Sequence, residues 1–200
     1  MLTGLEADTP SEVKNGESVY VPGLAPSVSA LSVPTVFRTY SKEVKKVMVK
    51  TSASPGNDID LDILECPSEV QQPTDPLCTE LDQSNGPGDS ESVSFEPKLD
   101  KVYAVRVRGT KVINEGKFMT TETVMLAPEF GDLLLEGPGG LDGVFDVVYA
   151  VKAQQLASSR LLNHDLFKTS KVRIVGSIEL KSAEGTLLGA LPVTITHFEH

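Results

Sequence analysis

Apolar and polar residues alternate along several separate stretches of this 200-residue chain. KKVMVKTSA (45–53), DIDLDIL (58–64), ESVSFEP (91–97) and KVYAVRVRG (101–109) each send successive side chains to opposite faces, which predicts half-buried β-strands. KFMTTETVML (117–126) predicts another. The clusters SPGND, SNGPGD and RGTKVINEGK between these runs supply the Gly, Pro, Asn and Asp that tight turns require. Short strands punctuated in this way predict an all-β fold, an antiparallel β-sandwich of jelly-roll-like form.

Two flanking regions differ. Residues 1–34 carry Pro10, Pro22, Pro26 and Pro34 without a sustained period and read as an extended leader or linker. After residue 126, APEFGDLLLEGPGGLDG breaks the rhythm with prolines and glycines, so a boundary is expected there. VFDVVYAVKA (144–153) and KVRIVGSIELKSAEGTLLGALPVTI (171–195) then read as strands, the latter a hairpin turning at Ala183, Glu184 and Gly185. AQQLASSRLLNHDLF (153–167) predicts one short helix with Leu156, Leu161 and Leu162 on one face. The expected organisation is a leader over 1–34, a sandwich over 35–126, and over 127–200 a smaller mostly-β region, either a second small domain or an extension packed on the first.

Charge narrows the partners. With 28 acidic against 18 basic side chains the formal net charge is −10, which repels nucleic acid and anionic membrane surfaces. No apolar run reaches the roughly 18 to 20 residues of a membrane-spanning helix. Between Thr51 and Asp100 twelve carboxylates face a single base, Lys98, so a cation is expected in that region if anywhere.

The stretch GNDIDLDILEC places Asp58, Asp60 and Asp62 on one face of a strand and Ile59, Leu61 and Ile63 on the other. Two readings stand side by side: a solvated strand face, or hard oxygen ligands for Ca²⁺ with Asn57, Asp82, Asn85 and Asp89 as further donors. The EF-hand spacing is absent. Cys66 and Cys78 bracket a segment with three prolines, and a disulfide closing that loop contributes about 2 to 3 kcal/mol in the chain-entropy model. Two reduced, buried thiols are the alternative; a zinc site would need further soft ligands nearby.

Catalytic constellations are scarce. The three histidines are His164, His197 and His200, and no G-x-S-x-G, G-x-x-x-x-G-K-[ST], H-E-x-x-H or G-x-G-x-x-G pattern occurs. Without Trp, and with 6% aromatic residues, paired carboxylates lack the stacking platform of a glycosidase.

The order SKEVKKVMVKTSA, GNDIDLDILEC, DQSNGPGDSESVSFEP, DKVYAVRVRG and GKFMTTETVML resembles the bacterial pre-peptidase C-terminal (PPC) domain, over about residues 35–126. That family is a β-sandwich appended to secreted subtilases, metalloproteases and collagenases. The resemblance implies a non-catalytic accessory module that is extracellular, cell-surface or periplasmic. It implies Ca²⁺ binding in some members, and a parent catalytic domain or a protein or polymer substrate as partner. This chain departs from the pattern in the insert between Cys66 and Cys78 and in its sparse aromatic surface. The function expected is assistance to a secreted hydrolase, a protease in the first instance, in folding, secretion or substrate engagement. The alternative is an adhesion or assembly protein that forms a homo-oligomer through an exposed sheet edge such as Val172 to Leu180. A small enzyme using His164 with Asp165 or Asp142 is a third reading.

Overall fold

The computed structural model describes residues 2–23, 36–40, 42, 44–113, 115–126, 131–136, 146–151, 172–181 and 184–195. Among these, every regular element is a strand: β1 (Leu2–Glu12), β2 (Ser18–Val21), β3 (Phe37–Arg38), β4 (Val44–Ala53), β5 (Asp58–Pro67), β6 (Thr79–Ser84), β7 (Ser90–Phe95), β8 (Lys101–Lys111), β9 (Lys117–Leu126), β10 (Gly131–Glu136), β11 (Asp146–Val151), β12 (Val172–Lys181) and β13 (Leu187–Ile195). The short helix expected over 153–167 falls outside the described residues, as do all three histidines.

One sheet runs β13-β12-β1-β9-β4-β7 and a second β2-β8-β5-β6, with β3 also paired to β8; β10 and β11 form a separate pair. Every pairing is antiparallel. The period-two pattern explains which faces meet. Val47 and Val49 of β4, Val93 and Phe95 of β7, and Phe118, Val124 and Leu126 of β9 belong to one buried cluster with Ile59, Leu61 and Ile63 of β5 and Tyr103, Val105 and Val107 of β8. The two sheets therefore close over a shared core and the fold is sandwich-like. At about 1.5 to 3 kcal/mol for each large apolar side chain removed from water, this cluster is the main favourable term.

The N-terminal expectation requires correction. Leu2–Glu12 is not a leader but an interior strand, bonded along one flank to β9 and, over Leu2 to Ala7, along the other to β12. Its pattern is hard to read because, where its side chains are described, Leu5 and Ala7 are the two in the buried core. Pro10 falls beyond the point where β12 stops pairing, so β1 accepts a proline where one flank is open. Ser18–Val21 and Phe37–Arg38 occupy successive stretches of the same edge of β8.

Two further strands lay hidden in loop-like sequence. TELDQS became β6, an edge strand exposed almost throughout, and GDLLLE became β10. The predicted hairpin is present: β12 and β13 pair, and Gly185 turns between them at φ +84°. Through β12 and β1 it continues the large sheet across the boundary expected after residue 126. Within the stretch Val172 to Leu180, β12 has β1 on one side over Val172–Gly176 and β13 on the other from Ile174 onward, so Ile174–Gly176 is covered on both sides. Among the described residues, the outermost strands of that sheet are β13 and β7.

Gly116 shows how closely the connections pack. The Val13 amide donates to its carbonyl at 2.9 Å, and a Cβ on Gly116 would sit 1.7 Å from the Val13 carbonyl oxygen. Only glycine fits.

Candidate functional site

The outward face of β5 and β8 holds the candidate residues. Both strands have two buried faces. The inner one is apolar, and the outer one carries Asp60, Asp62, Leu64 and Cys66 on β5 beside Val102, Ala104, Arg106 and Arg108 on β8. Register sets Asp60 opposite Arg108 and Asp62 opposite Arg106, so the alternation that aligned the aspartates also aligned their counter-charges.

The pairing is dense. One Asp62 carboxylate oxygen, Oδ2, accepts from Arg106 Nε at 2.7 Å and from Arg108 Nε at 3.0 Å, while Oδ1 accepts from Arg108 Nη2 at 2.9 Å. The Asp62 side chain is 0% exposed, against 27% and 36% for the two arginines. Asp60 accepts from the Thr110 hydroxyl at 2.8 Å and lies 3.5 Å from Arg108 Nη2. Glu80 of β6 closes the network 3.6 Å from Arg106. Burial works against the Arg106 charge, but the Asp62 hydrogen bond and field outweigh it and raise its pKa. A solvated strand face is thus not what the sequence builds here, because guanidinium groups rather than water cover these carboxylates.

The remaining candidates are dispersed. Asp58 Oδ1 accepts from the Gly88 amide at 2.9 Å, which draws β5 towards the 85–89 loop that contains Asp89. Asp89 Oδ1 accepts from the Ser90 hydroxyl at 3.2 Å. Asn57 is buried and bridges to the other side, accepting from the Ile113 amide at 3.1 Å and donating to the Glu115 carbonyl at 3.4 Å. Asp82 is exposed and accepts from the neighbouring Gln83 amide, while Asn85 donates to Gln83 Oε1 at 3.3 Å. The structure brings Asp60 with Asp62, and Asp58 with the loop preceding Asp89; it does not gather the set. Among the described residues no three His, Cys, Asp or Glu side chains converge as a metal cradle.

Cys66 and Cys78 are joined as a disulfide, with Cα atoms 4.2 Å apart. The bridge closes residues 67–78 over a second, smaller cluster: Phe37, Leu64, Cys66, Val70, Val102 and Ala104, with Tyr20 and Cys78 against it. That cluster lies on the same outward face as the arginine ladder.

A buried polar centre lies within the main core. Glu122 of β9, with a 4% exposed side chain, accepts from Arg38 Nε on Oε2 and from the Tyr40 hydroxyl on Oε1, both at 2.8 Å. Arg38 spends its other donors on the carbonyls of Val21, Val36 and Pro22 at 3.0 to 3.2 Å. Burial pushes the Tyr40 hydroxyl pKa well up, and the Glu122 charge adds to it. The signal in the sequence is parity: Glu122 shares its face with Phe118, Val124 and Leu126. The same parity makes an inward row of Thr120, Thr51 and Glu91 across β9, β4 and β7. The Thr51 and Thr120 hydroxyls there have no hydrogen-bond partner.

No protein-family model matches the chain, and no curated protein matches it in sequence. The PPC resemblance rests on the order of the strand motifs alone.

Proposed function

We propose that the chain is a non-catalytic accessory module of a secreted hydrolase, a protease in the first instance, that assists folding, secretion or engagement of substrate. The observation that carries this reading is strand order. The five stretches of the PPC resemblance fall on β4, β5, β6 with β7, β8 and β9, and with β1 and β2 they interleave as 1-9-4-7 against 2-8-5-6. We read that order as two Greek keys wound into a jelly roll. The disulfide supports an oxidising location, extracellular, cell-surface or periplasmic. Calcium stabilisation is retained in the proposal only at Asp58 and Asp89, since arginines occupy Asp60 and Asp62.

The purified chain should turn over neither casein nor generic esters. Reproducible turnover abolished by a single substitution would overturn the module reading.

An assembly protein is the second reading, and the β13 edge favours it. Leu187, Leu188 and Leu191 are 55%, 70% and 57% exposed, and no residue of Leu187–Ile195 is charged. Pro192 lacks the N–H an added strand would need and so limits pairing along that edge. Light scattering that shows a concentration-dependent oligomer, lost on Leu188→Lys, would favour assembly; a monomer at all concentrations removes it.

A further inference from the structure

We propose that residues 68–77 form a separable flap, latched by the Cys66–Cys78 disulfide over an apolar patch on the outward face of the smaller sheet, which a dithiol reductant opens while the sandwich stays folded. Three observations converge on it.

First, the apolar cluster beneath the flap is distinct from the main core. Leu64, Val102 and Ala104 face away from Ile63, Tyr103 and Val105, so the two clusters lie on opposite sides of β5 and β8. Losing one does not open the other.

Second, the hydrogen bonds described for the flap are local. The Val70 amide donates to the Pro67 carbonyl, Asp75 to Gln72 and Cys78 to Asp75, at 3.2, 3.1 and 2.9 Å. The Leu77 amide donates to Asp75 Oδ1 and Gln71 Nε2 to the Glu69 carbonyl. Among the described contacts, the bond from the Val70 amide to the Pro67 carbonyl, at the very end of β5, is the polar tie between residues 68–77 and the sheet; burial of Val70, 5% exposed, and the disulfide hold the loop down. Bonds this local do not fix the loop to the sheet, and once the loop is released they exchange readily.

Third, the two sulfurs are unequally protected. Cys66 is 0% exposed on β5, whereas Cys78 is half-buried. A reductant thiolate attacks Cys78 Sγ; the S–S bond breaks, and Cys66 leaves as a thiolate that takes a proton. The reductant's second thiol then displaces Cys78 as a thiol and closes its own disulfide, so two electrons pass to the protein. Departure of Cys66 into apolar surroundings is unfavourable, which keeps the latch shut against monothiols and favours a dithiol.

The test is hydrogen exchange and an apolar dye on the whole chain, before and after dithiothreitol, with reoxidation as control. Expected are a several-fold rise in dye fluorescence and loss of protection at the amides of residues 68–78, with β4, β8 and β9 as protected as before. Val70→Ser with the disulfide intact should give a smaller dye response that reduction completes. Unchanged dye binding and exchange after verified reduction would overturn the proposal, because packing alone would then hold the flap. Loss of protection throughout β4, β8 and β9 would overturn it too, because the bridge would then be part of the global fold.

Discussion

Asp62 of β5 and Arg106 of β8 stand directly opposite each other, and the carboxylate accepts a 2.7 Å hydrogen bond while itself wholly screened from water. Arg108 reaches the same carboxylate from one pair further along. Both arginines thus converge on one carboxylate, with Glu80 and Asp60 at the margins of the patch.

Asp62→Ala removes the carboxylate that both partly buried guanidinium groups share and leaves them the more distant Glu80 and Asp60. The expected loss is about 3 kcal/mol, the low end for breaking a buried pair because the arginines keep some solvent. Asp58→Ala, which removes one bond to a loop amide, should cost about 1 kcal/mol. Urea unfolding of the two variants checks the ranking, and equal midpoints would refute it.

The Arg38–Glu122 pair is buried on both sides, so Glu122→Leu alone should destabilise by about 3 to 5 kcal/mol. Adding Arg38→Met removes the stranded charge and should recover a good part of that loss. A double-mutant cycle in which the two effects simply add would show that the pair is not coupled.

Asp8 sits under Arg173 at 2.6 Å, and that hydrogen bond holds its carboxyl below the ordinary value of 3.8. Its folded pKa is the depressed one, so the stability it contributes is present above about pH 4 and is lost as pH falls through the folded value. Arg173 also holds Glu6, and these contacts tie β12 to β1. Below pH 4 exchange should rise in β12 and β13 before β4 or β8. Simultaneous loss everywhere would contradict this, and added salt should weaken the contact at neutral pH.

Gly116→Ala drives a methyl group into the Val13 carbonyl and should cost more than the roughly 1 kcal/mol by which alanine ordinarily exceeds glycine in the opposite direction. Gly189→Ala, which meets nothing within 4 Å, is the control. Thermal melts of the pair should differ by several degrees.

For calcium, melts in millimolar Ca²⁺ and in EDTA are the comparison. A rise with Ca²⁺ that Asp58→Asn abolishes would place the ion at the 85–89 loop. Identical melts would leave GNDIDLDILEC to the arginine ladder alone.

Strands with clean alternation were legible from the sequence: β4, β5, β7, β8 and β9 fall where the pattern put them. β1 was not, because its sides are covered by neighbouring strands rather than by its own apolar residues, and a proline interrupts it. β6 was missed for the opposite reason: it is so exposed that it carries no apolar face. The aspartates' alternation was visible, but their partners were not, since Arg106 and Arg108 are more than 40 residues downstream and only the β5–β8 register aligns them. The disulfide was readable from loop length and composition. The separate cluster beneath it was not, because it draws on β3, β5, β8 and the loop together.

The place of β1 also sets a timetable. Leu2–Glu12 precedes both of its partners by a long way: among the described strands it has none to lie against until β9 appears at Lys117, and none on its other flank until Val172. At roughly 5 to 20 residues per second of synthesis, this strand waits about 5 to 20 seconds for its first neighbour. For that interval the chain cannot complete its larger sheet, and the hydrogen-bonding groups of Leu2–Glu12 stay open to whatever they meet first.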